Sequence, residues 1–233
     1  PSCGFSFSHA LVADALADEV NAARRARIHA AAARAFAERA GPELGMDAAV
    51  VAHHAIEGLL AGSGALAVDA SKRAAELARA RLADEDAAGH WANVAAVLAR
   101  WRPGDAQGRV AALVEQAKAL LRADLVLAAK EPVLAAIEVA DAAGLVECMV
   151  DAAVLLNHAH PWTNEPYGVV DGRVVDALER TLAVMDDGDL ARRADVLGAL
   201  ASELVFADEG RHRAACEEAE AVARAGGDPG GRP

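Results

Sequence analysis

Apolar residues recur at helical spacing along most of the chain, and short polar or glycine-containing segments interrupt them. Between positions 110 and 121 they stand at i, i+3, i+4, i+7, i+10 and i+11, which is one stripe along an α-helix. Similar stripes occupy positions 174–185 and 190–204. The pattern predicts amphipathic helices, each of which must bury its apolar stripe against a neighbour.

Turn and capping residues mark the ends of these helices. From position 84 onward, breakers fall about every twenty residues, which suits a helix of about four turns and a short connection. Asp105 and Asp189 stand where a side chain caps a helix start, and Gly144 and Gly226 stand where a helix end favours left-handed backbone. We expect Pro132 in the first turn of a helix that follows a bend, because a proline inside a helix costs about 3 kcal/mol.

The spacing of the helices predicts the fold class. Helical hairpins of about forty residues can stack into a solenoid. The composition agrees, because 54% of residues are hydrophobic but only 3% are aromatic. β-Sandwiches favour aromatic and β-branched residues, whereas small apolar residues suit closely packed helices. We therefore predict an all-α fold, a tetratricopeptide-like right-handed stack of antiparallel helix pairs without strict consensus repeats.

Charge and cysteine content restrict the surroundings of the chain. The net charge is −12, and an acidic chain repels phosphate backbones, so we expect no direct contact between this segment and nucleic acid. No apolar run approaches the 18 or so residues that cross a membrane, so we expect no membrane contact. Cys3, Cys148 and Cys216 are odd in number and widely spaced. This pattern predicts free thiols and a cytoplasmic location.

The sequence lacks common motifs of catalytic sites. No lysine follows a glycine, so a P-loop for nucleotide phosphates is absent. The His-Glu-x-x-His, Gly-x-Ser-x-Gly and Cys-x-x-Cys patterns are also absent. The acidic pairs Asp84/Asp86 and Asp186/Asp187 fall in turns, where carboxylates commonly cap helices. We therefore expect no catalytic residues in this chain and no enzyme activity.

Two histidine pairs invite a metal interpretation. His53 and His54 are adjacent on a predicted helix, so their side chains point about 100° apart and are poorly placed to share one ion. His158 and His160 lie near a helix end, ten residues and more after Cys148. We expect structural roles for both pairs, with no metal ligand and no cofactor-binding residue in this chain.

Segment 161–168, PWTNEPYG, breaks the helical rhythm. Two interpretations of Trp162, Asn164 and Tyr167 remain open. They either seal the end of a helix pair or contact a ligand or partner, since binding residues concentrate on loops that rigid elements hold.

A basic cluster occupies the helix that Asn21 opens. Its members are Arg24, Arg25, Arg27 and Arg34. They form a solvated face, contact an acidic partner surface, or contact DNA if this helix belongs to a DNA-binding module.

Segment 5–38, FSFSHALVADALADEVNAARRARIHAAAARAFAE, resembles the large ATP-binding bacterial transcription regulators. These are the STAND-type, LuxR-family and antibiotic-regulatory-protein-related ATPases common in actinobacteria. In that family a Phe-x-Phe-x-His-x-Leu-Val stretch closes a winged-helix-like module, and an Arg-Arg-x-Arg-x-His helix follows. The matching positions are Phe5, Phe7, His9, Leu11, Val12, Arg24, Arg25, Arg27 and His29.

The resemblance extends over nearly the whole chain. Ala52-His53-His54 matches the family's next helix, and segments 168–204 and 211–229 are similar to its later tetratricopeptide-like repeats. The chain departs from the family at Ala13 and Ala17, where basic or aromatic residues are frequent. These motifs are structural, and none of them is catalytic.

The resemblance implies a domain organisation and a function. Residues 1–40 would end a winged-helix-like module, and 41–225 would form the tetratricopeptide-like region. The glycine and proline content of 226–233 separately predicts a flexible tail. The parent would carry an upstream ATPase domain that binds ATP and Mg²⁺ and, in many members, a DNA-binding helix-turn-helix, both outside this chain. This segment would be a non-catalytic sensor that binds a protein partner or a small-molecule inducer on its helical surface and contacts the parent's ATPase domain.

Two alternatives from other classes remain. One is a stand-alone tetratricopeptide-like scaffold for protein–protein interaction. The other is an all-α enzyme that uses the 162–167 loop together with His158 or His160.

Overall fold

The computed structural model describes residues 20–41, 44–158, 169–207 and 209–227, and this part of the chain is helical without a β-strand. Its ten α-helices are α1 (Ala22–Ala40), α2 (Ala48–Glu57), α3 (Gly64–Ala80), α4 (Asp84–Trp101), α5 (Ala106–Arg122), α6 (Val126–Ala142), α7 (Val146–Val154), α8 (Gly172–Val184), α9 (Leu190–Glu203) and α10 (Glu209–Gly227). Short 3-10 turns span Gly45–Asp47, Leu59–Ala61, Leu155–His158 and Leu204–Phe206. The predicted all-α class is therefore confirmed.

The chain divides into two compact units, Pro1–Ala74 and Ala75–Pro233. In the first unit, α1 and α2 pack against each other together with the 3-10 turns on either side of α2. The expected domain boundaries after residues 40 and 225 stay predictions. Of the expected winged-helix-like segment 1–40, residues 1–19 lie outside the described residues, and so do residues 228–233 of the expected tail 226–233.

Small residues bring the two helices of the first unit close together. The buried positions of this contact are Ala26, Ala30 and Ala33 on α1 and Ala48, Val51, Ala52 and Ala55 on α2. Gly58 follows α2, and a Cβ atom added there would lie 2.8 Å from the backbone nitrogen of Ala30 and 2.9 Å from its Cα. The buried Ser63 hydroxyl donates a hydrogen bond to the Ala55 carbonyl oxygen (2.5 Å). Only a glycine at position 58 leaves room for the chain that follows α2 to lie this close to the backbone of α1.

In the second unit, each of the helices α4 to α9 packs against the next helix along the chain. Asp84 at the start of α4 accepts a hydrogen bond from Arg122 at the end of α5 (2.7 Å), so these two helices run in opposite directions. Contacts also join α5 to α7, α6 to α8 and α7 to α9. The helices are thus packed in consecutive pairs, and neighbouring pairs touch one another.

Ion pairs repeat between helices that are two apart in sequence order. Arg173 on α8 pairs with Glu131 on α6 at 2.8 Å, and Arg180 on α8 pairs with Asp141 on α6 at 2.7 Å. The same relation joins α9 to α7 through Arg192, which contacts Glu147 (2.7 Å) and Asp151 (2.9 Å). It joins α10 to α8 through Arg211 and Glu179 (2.7 Å).

Three helix ends in this unit share one turn geometry. The second residue after each helix is in the left-handed region, with φ of 60° at Leu82 and Asp124 and 66° at Gly144. The next amide bonds back to the carbonyl five residues earlier, as Ala83 does to Ala78 and Leu125 to Leu120. This pair of features defines the Schellman motif. The expectation for Gly144 is confirmed, and the same turn recurs where no glycine indicates it.

The caps expected at two helix starts are also present. The Asp105 carboxylate accepts a hydrogen bond from the Gly108 amide (2.9 Å), and Asp189 accepts one from the Arg192 amide (3.3 Å). Both residues satisfy an amide that has no partner within its helix.

Two local expectations were wrong. Pro132 lies inside α6, which begins at Val126, and not in a first turn. The proline is one of eight buried residues among the 17 of this helix, and this burial outweighs the lost hydrogen bond. Gly226 lies within α10 and does not end it with left-handed backbone. A Cβ atom there would lie 3.1 Å from Leu190 Cβ, so this glycine permits a close approach to α9.

The core of the second unit includes a buried cation. Lys130 on α6 is 4% exposed, and its Nζ lies 3.2 Å from Glu203 and 4.0 Å from Asp171, which are also nearly buried. The largest buried apolar side chains of this unit include Ile137, Met149, Leu178 and Leu197. No helix within the described ranges is long and apolar enough to cross a membrane.

Candidate functional site

Three imidazoles meet where α1 packs against α2. His29 lies on α1 next to the buried Ala30, and His53 and His54 lie on α2 between the buried Ala52 and Ala55. The buried alanines allow the two helices to approach closely. The side chains that flank the alanines on α1 therefore lie opposite those that flank the alanines on α2. One ring nitrogen from each histidine lies within 4.8 Å of a ring nitrogen of the other two.

The closest contact in this histidine cluster joins the two helices. The Nδ1 atoms of His29 and His54 are 3.0 Å apart, so one of them donates a hydrogen bond to the other. The His53 ring lies 5.9 Å from the His29 ring and 5.2 Å from the His54 ring, measured between centroids. His53 is exposed, while His29 and His54 are partly buried.

An aromatic side chain supports the cluster from α1. The Phe36 ring stacks on the His54 imidazole, with the planes 2° apart and the centroids separated by 5.5 Å. The Arg39 guanidinium covers the Phe36 ring at 4.8 Å and pairs with Asp47 at 3.1 Å. This stacking fixes the orientation of the His54 ring, which then presents its edge to His29.

The environment favours a neutral His54. Burial lowers the pKa of His54 below its ordinary value of 6.5, and repulsion from His29 and His53 lowers it further. A neutral imidazole keeps a lone pair on one ring nitrogen, and this lone pair accepts a hydrogen bond or binds a metal ion.

From the sequence, His53 and His54 were expected as a pair on one helix, with no connection to His29. The missing information was the pairing of α1 with α2, which brings a third imidazole opposite the other two. A signal was present in the sequence, because His29 is adjacent to an alanine of the helical stripe of α1 just as His54 is adjacent to one of α2.

The predicted contact residues fall into two groups. Arg24, Arg25 and Arg27 lie on α1 and are exposed. The Asn21 side chain accepts a hydrogen bond from the Arg24 amide (2.9 Å), as the expected cap. The guanidinium of Arg25 donates to the Val20 carbonyl oxygen (3.3 Å), so it lies against the start of its own helix.

The second group consists of Trp162, Asn164 and Tyr167, which lie outside the described residues, as does His160. Their roles stay predictions. Cys148 and Cys216 are free and half-buried, in agreement with the prediction for these two thiols.

A charge cluster of the second unit surrounds Arg192. Hydrogen bonds from its guanidinium to Glu147 and Asp189, and a further one to Asp151, raise the pKa of Arg192 above its ordinary value. The cluster connects α7 to the capped start of α9. Its groups pair with one another, which is typical of a structural ion-pair network.

Comparison with protein-family models, curated proteins and solved structures gives no significant match. The resemblance to the ATP-binding regulators therefore stays an expectation from the sequence motifs.

Proposed function

We propose that this chain is a non-catalytic sensor or protein-interaction segment of an ATP-dependent bacterial transcription regulator. In that role it controls an ATPase domain and a DNA-binding domain that belong to the same parent protein. Its own ligand is a protein partner or a small-molecule inducer, and ATP and Mg²⁺ bind the ATPase domain.

The observation that carries the proposal is the order of helix contacts in the second unit. Each helix packs against the next helix, and ion pairs join α6 to α8, α7 to α9 and α8 to α10. A tetratricopeptide-like stack requires this pattern, because each hairpin must bury its remaining apolar face on the following hairpin. Such stacks present extended surfaces that bind proteins and peptides.

The first unit supplies the second argument. Its helix α1 carries the Arg-Arg-x-Arg-x-His motif of the resemblance, and Arg24, Arg25 and Arg27 are exposed on it. An exposed basic segment on an acidic chain is suited to an acidic surface of another domain, and the parent's ATPase domain is the partner we propose.

The proposed mechanism is a shift between two states of the parent. A ligand that binds the helical surface more tightly in one nucleotide state of the ATPase shifts the equilibrium by its difference in affinity. The stack needs no catalytic group for this function.

The experiment compares ATP hydrolysis by the parent protein with that of a variant that lacks residues 41–225. We expect the deletion to change the basal hydrolysis rate several-fold, because the segment restrains or supports the ATPase. A second pair of variants tests the contact. Arg24→Glu combined with Arg27→Glu should reproduce part of that change, while Arg224→Glu on α10 should not. An ATPase rate that is the same with and without the segment would refute the proposal.

A further inference from the structure

We propose that His29, His53 and His54 form a binding site for one divalent transition-metal ion, with Zn²⁺ as the representative ion. The site lies between α1 and α2, so the ion would join the two helices of the first unit. This inference goes beyond the proposed function and does not depend on it.

The ligand geometry is close to what the ion requires. Zn–N bonds measure about 2.0–2.1 Å, so two nitrogens at a tetrahedral angle on one ion lie about 3.3 Å apart. The Nδ1 atoms of His29 and His54 are 3.0 Å apart. A zinc ion would therefore take the place of the hydrogen atom between the two nitrogens once the rings move apart by a few tenths of an ångström.

The third ligand has the freedom to complete the site. The three ligand nitrogens lie within 4.8 Å of one another, whereas a tetrahedral zinc ion holds its nitrogens about 3.3 Å apart. The His53 nitrogen therefore has to move inward by at most about 1.5 Å. Its side chain is exposed, so a small rotation moves it without disturbing the packed alanines.

The chemistry of the donor set selects the class of ion. Imidazole nitrogens suit Zn²⁺, Cu²⁺, Ni²⁺ and Fe²⁺, whereas Mg²⁺ and Ca²⁺ prefer oxygen ligands. Three protein ligands also leave one tetrahedral position for water. The stacked Phe36 ring orients His54 and thereby holds one ligand in place before the ion arrives.

The test is a calorimetric titration of the purified 233-residue chain, free of any histidine tag, with ZnCl₂. We expect one Zn²⁺ per chain and an increase in the melting temperature of the zinc-bound chain. Loss of an outer hydrogen-bond partner already weakens metal sites about 10–100-fold, so loss of a direct ligand in His29→Gln or His53→Gln should weaken binding at least as much.

Two controls separate this site from other zinc-binding groups. His212→Gln removes an imidazole that lies 3.7 Å from the Cys216 sulfur on α10, and it should leave the affinity unchanged. The visible absorption of the Co²⁺-substituted chain should show nitrogen ligands without thiolate charge transfer.

The outcomes decide the proposal even if one variant folds poorly. His53→Gln changes an exposed residue and should retain the circular dichroism spectrum of the unsubstituted chain. The zinc affinity of this variant is therefore decisive even if His29→Gln folds poorly. Absence of stoichiometric binding would overturn the proposal. So would zinc binding of undiminished strength in His53→Gln, because the ion would then bind elsewhere.

Discussion

Substitution of Gly58 by alanine should destabilise the first unit. The added Cβ atom would lie 2.8–2.9 Å from the backbone nitrogen and Cα of Ala30 and 2.8 Å from the Ser63 hydroxyl oxygen. The hydroxyl can rotate away, but the Ala30 backbone lies inside α1 and its residue is buried. The clash with the Ala30 backbone is therefore relieved only if the whole of α1 shifts.

The magnitude follows from two opposing effects. Overpacking of a close contact costs about 1–3 kcal/mol, and the loss of glycine's freedom in the unfolded chain returns about 0.4–1 kcal/mol. We expect Gly58→Ala to lower the free energy of unfolding by about 1–2 kcal/mol. Gly89→Ala is the matched control, because Gly89 lies in α4 with no atom within 4 Å of an added Cβ. Alanine should stabilise that helix by about 0.5–1 kcal/mol.

The assay is urea unfolding of both variants and of the unsubstituted chain, monitored by far-ultraviolet circular dichroism. Hydrogen exchange then localises the effect. In Gly58→Ala, amides of α1 and α2 should exchange faster, while those of α5 and α6 keep their rates. A Gly58→Ala chain as stable as the Gly89→Ala chain would refute the close approach of α1 to Gly58.

The remaining predictions concern the second unit. Lys130→Ala should lower the free energy of unfolding by about 3–5 kcal/mol, because it removes the buried cation that lies 3.2 Å from the buried Glu203 carboxylate. Lys118→Ala removes an exposed pair and should cost less than about 1 kcal/mol, so equal urea midpoints would contradict the burial of Lys130. Asp124→Gly should raise the free energy of unfolding by about 1 kcal/mol, since φ is 60° there, and a lower thermal midpoint would contradict the turn geometry. Burial lowers the pKa of His90, so the unfolded chain binds more protons there and stability falls as the pH drops below about 6.5. His90→Leu should flatten this pH dependence in urea titrations between pH 7 and pH 5, and an unchanged slope would contradict the buried environment.

Much of the helical architecture was predictable from the sequence because its causes are local. Apolar spacing indicated the helices, and Asp105 and Asp189 indicated helix starts through side chains that bond to nearby amides. Regular short connections indicated that consecutive helices pack together. Each of these signals involves residues that are close together along the chain, so one sequence is enough to detect it.

The features that the sequence did not indicate depend on tertiary contacts. Pro132 continues a helix because it lies among the buried residues of α6, and no local signal in the sequence indicates that burial. The histidine cluster required the alignment of α1 with α2, which the alanine contact and Gly58 determine together.

The most direct test of the central claim is sequencing of the DNA on both sides of the region that encodes this chain. Our account predicts an in-frame Gly-x-x-x-x-Gly-Lys-[Ser/Thr] motif upstream, as part of an ATPase domain in the same reading frame. A start codon immediately before Pro1 together with a stop codon immediately after Pro233 would contradict it. The chain would then be a stand-alone helical scaffold.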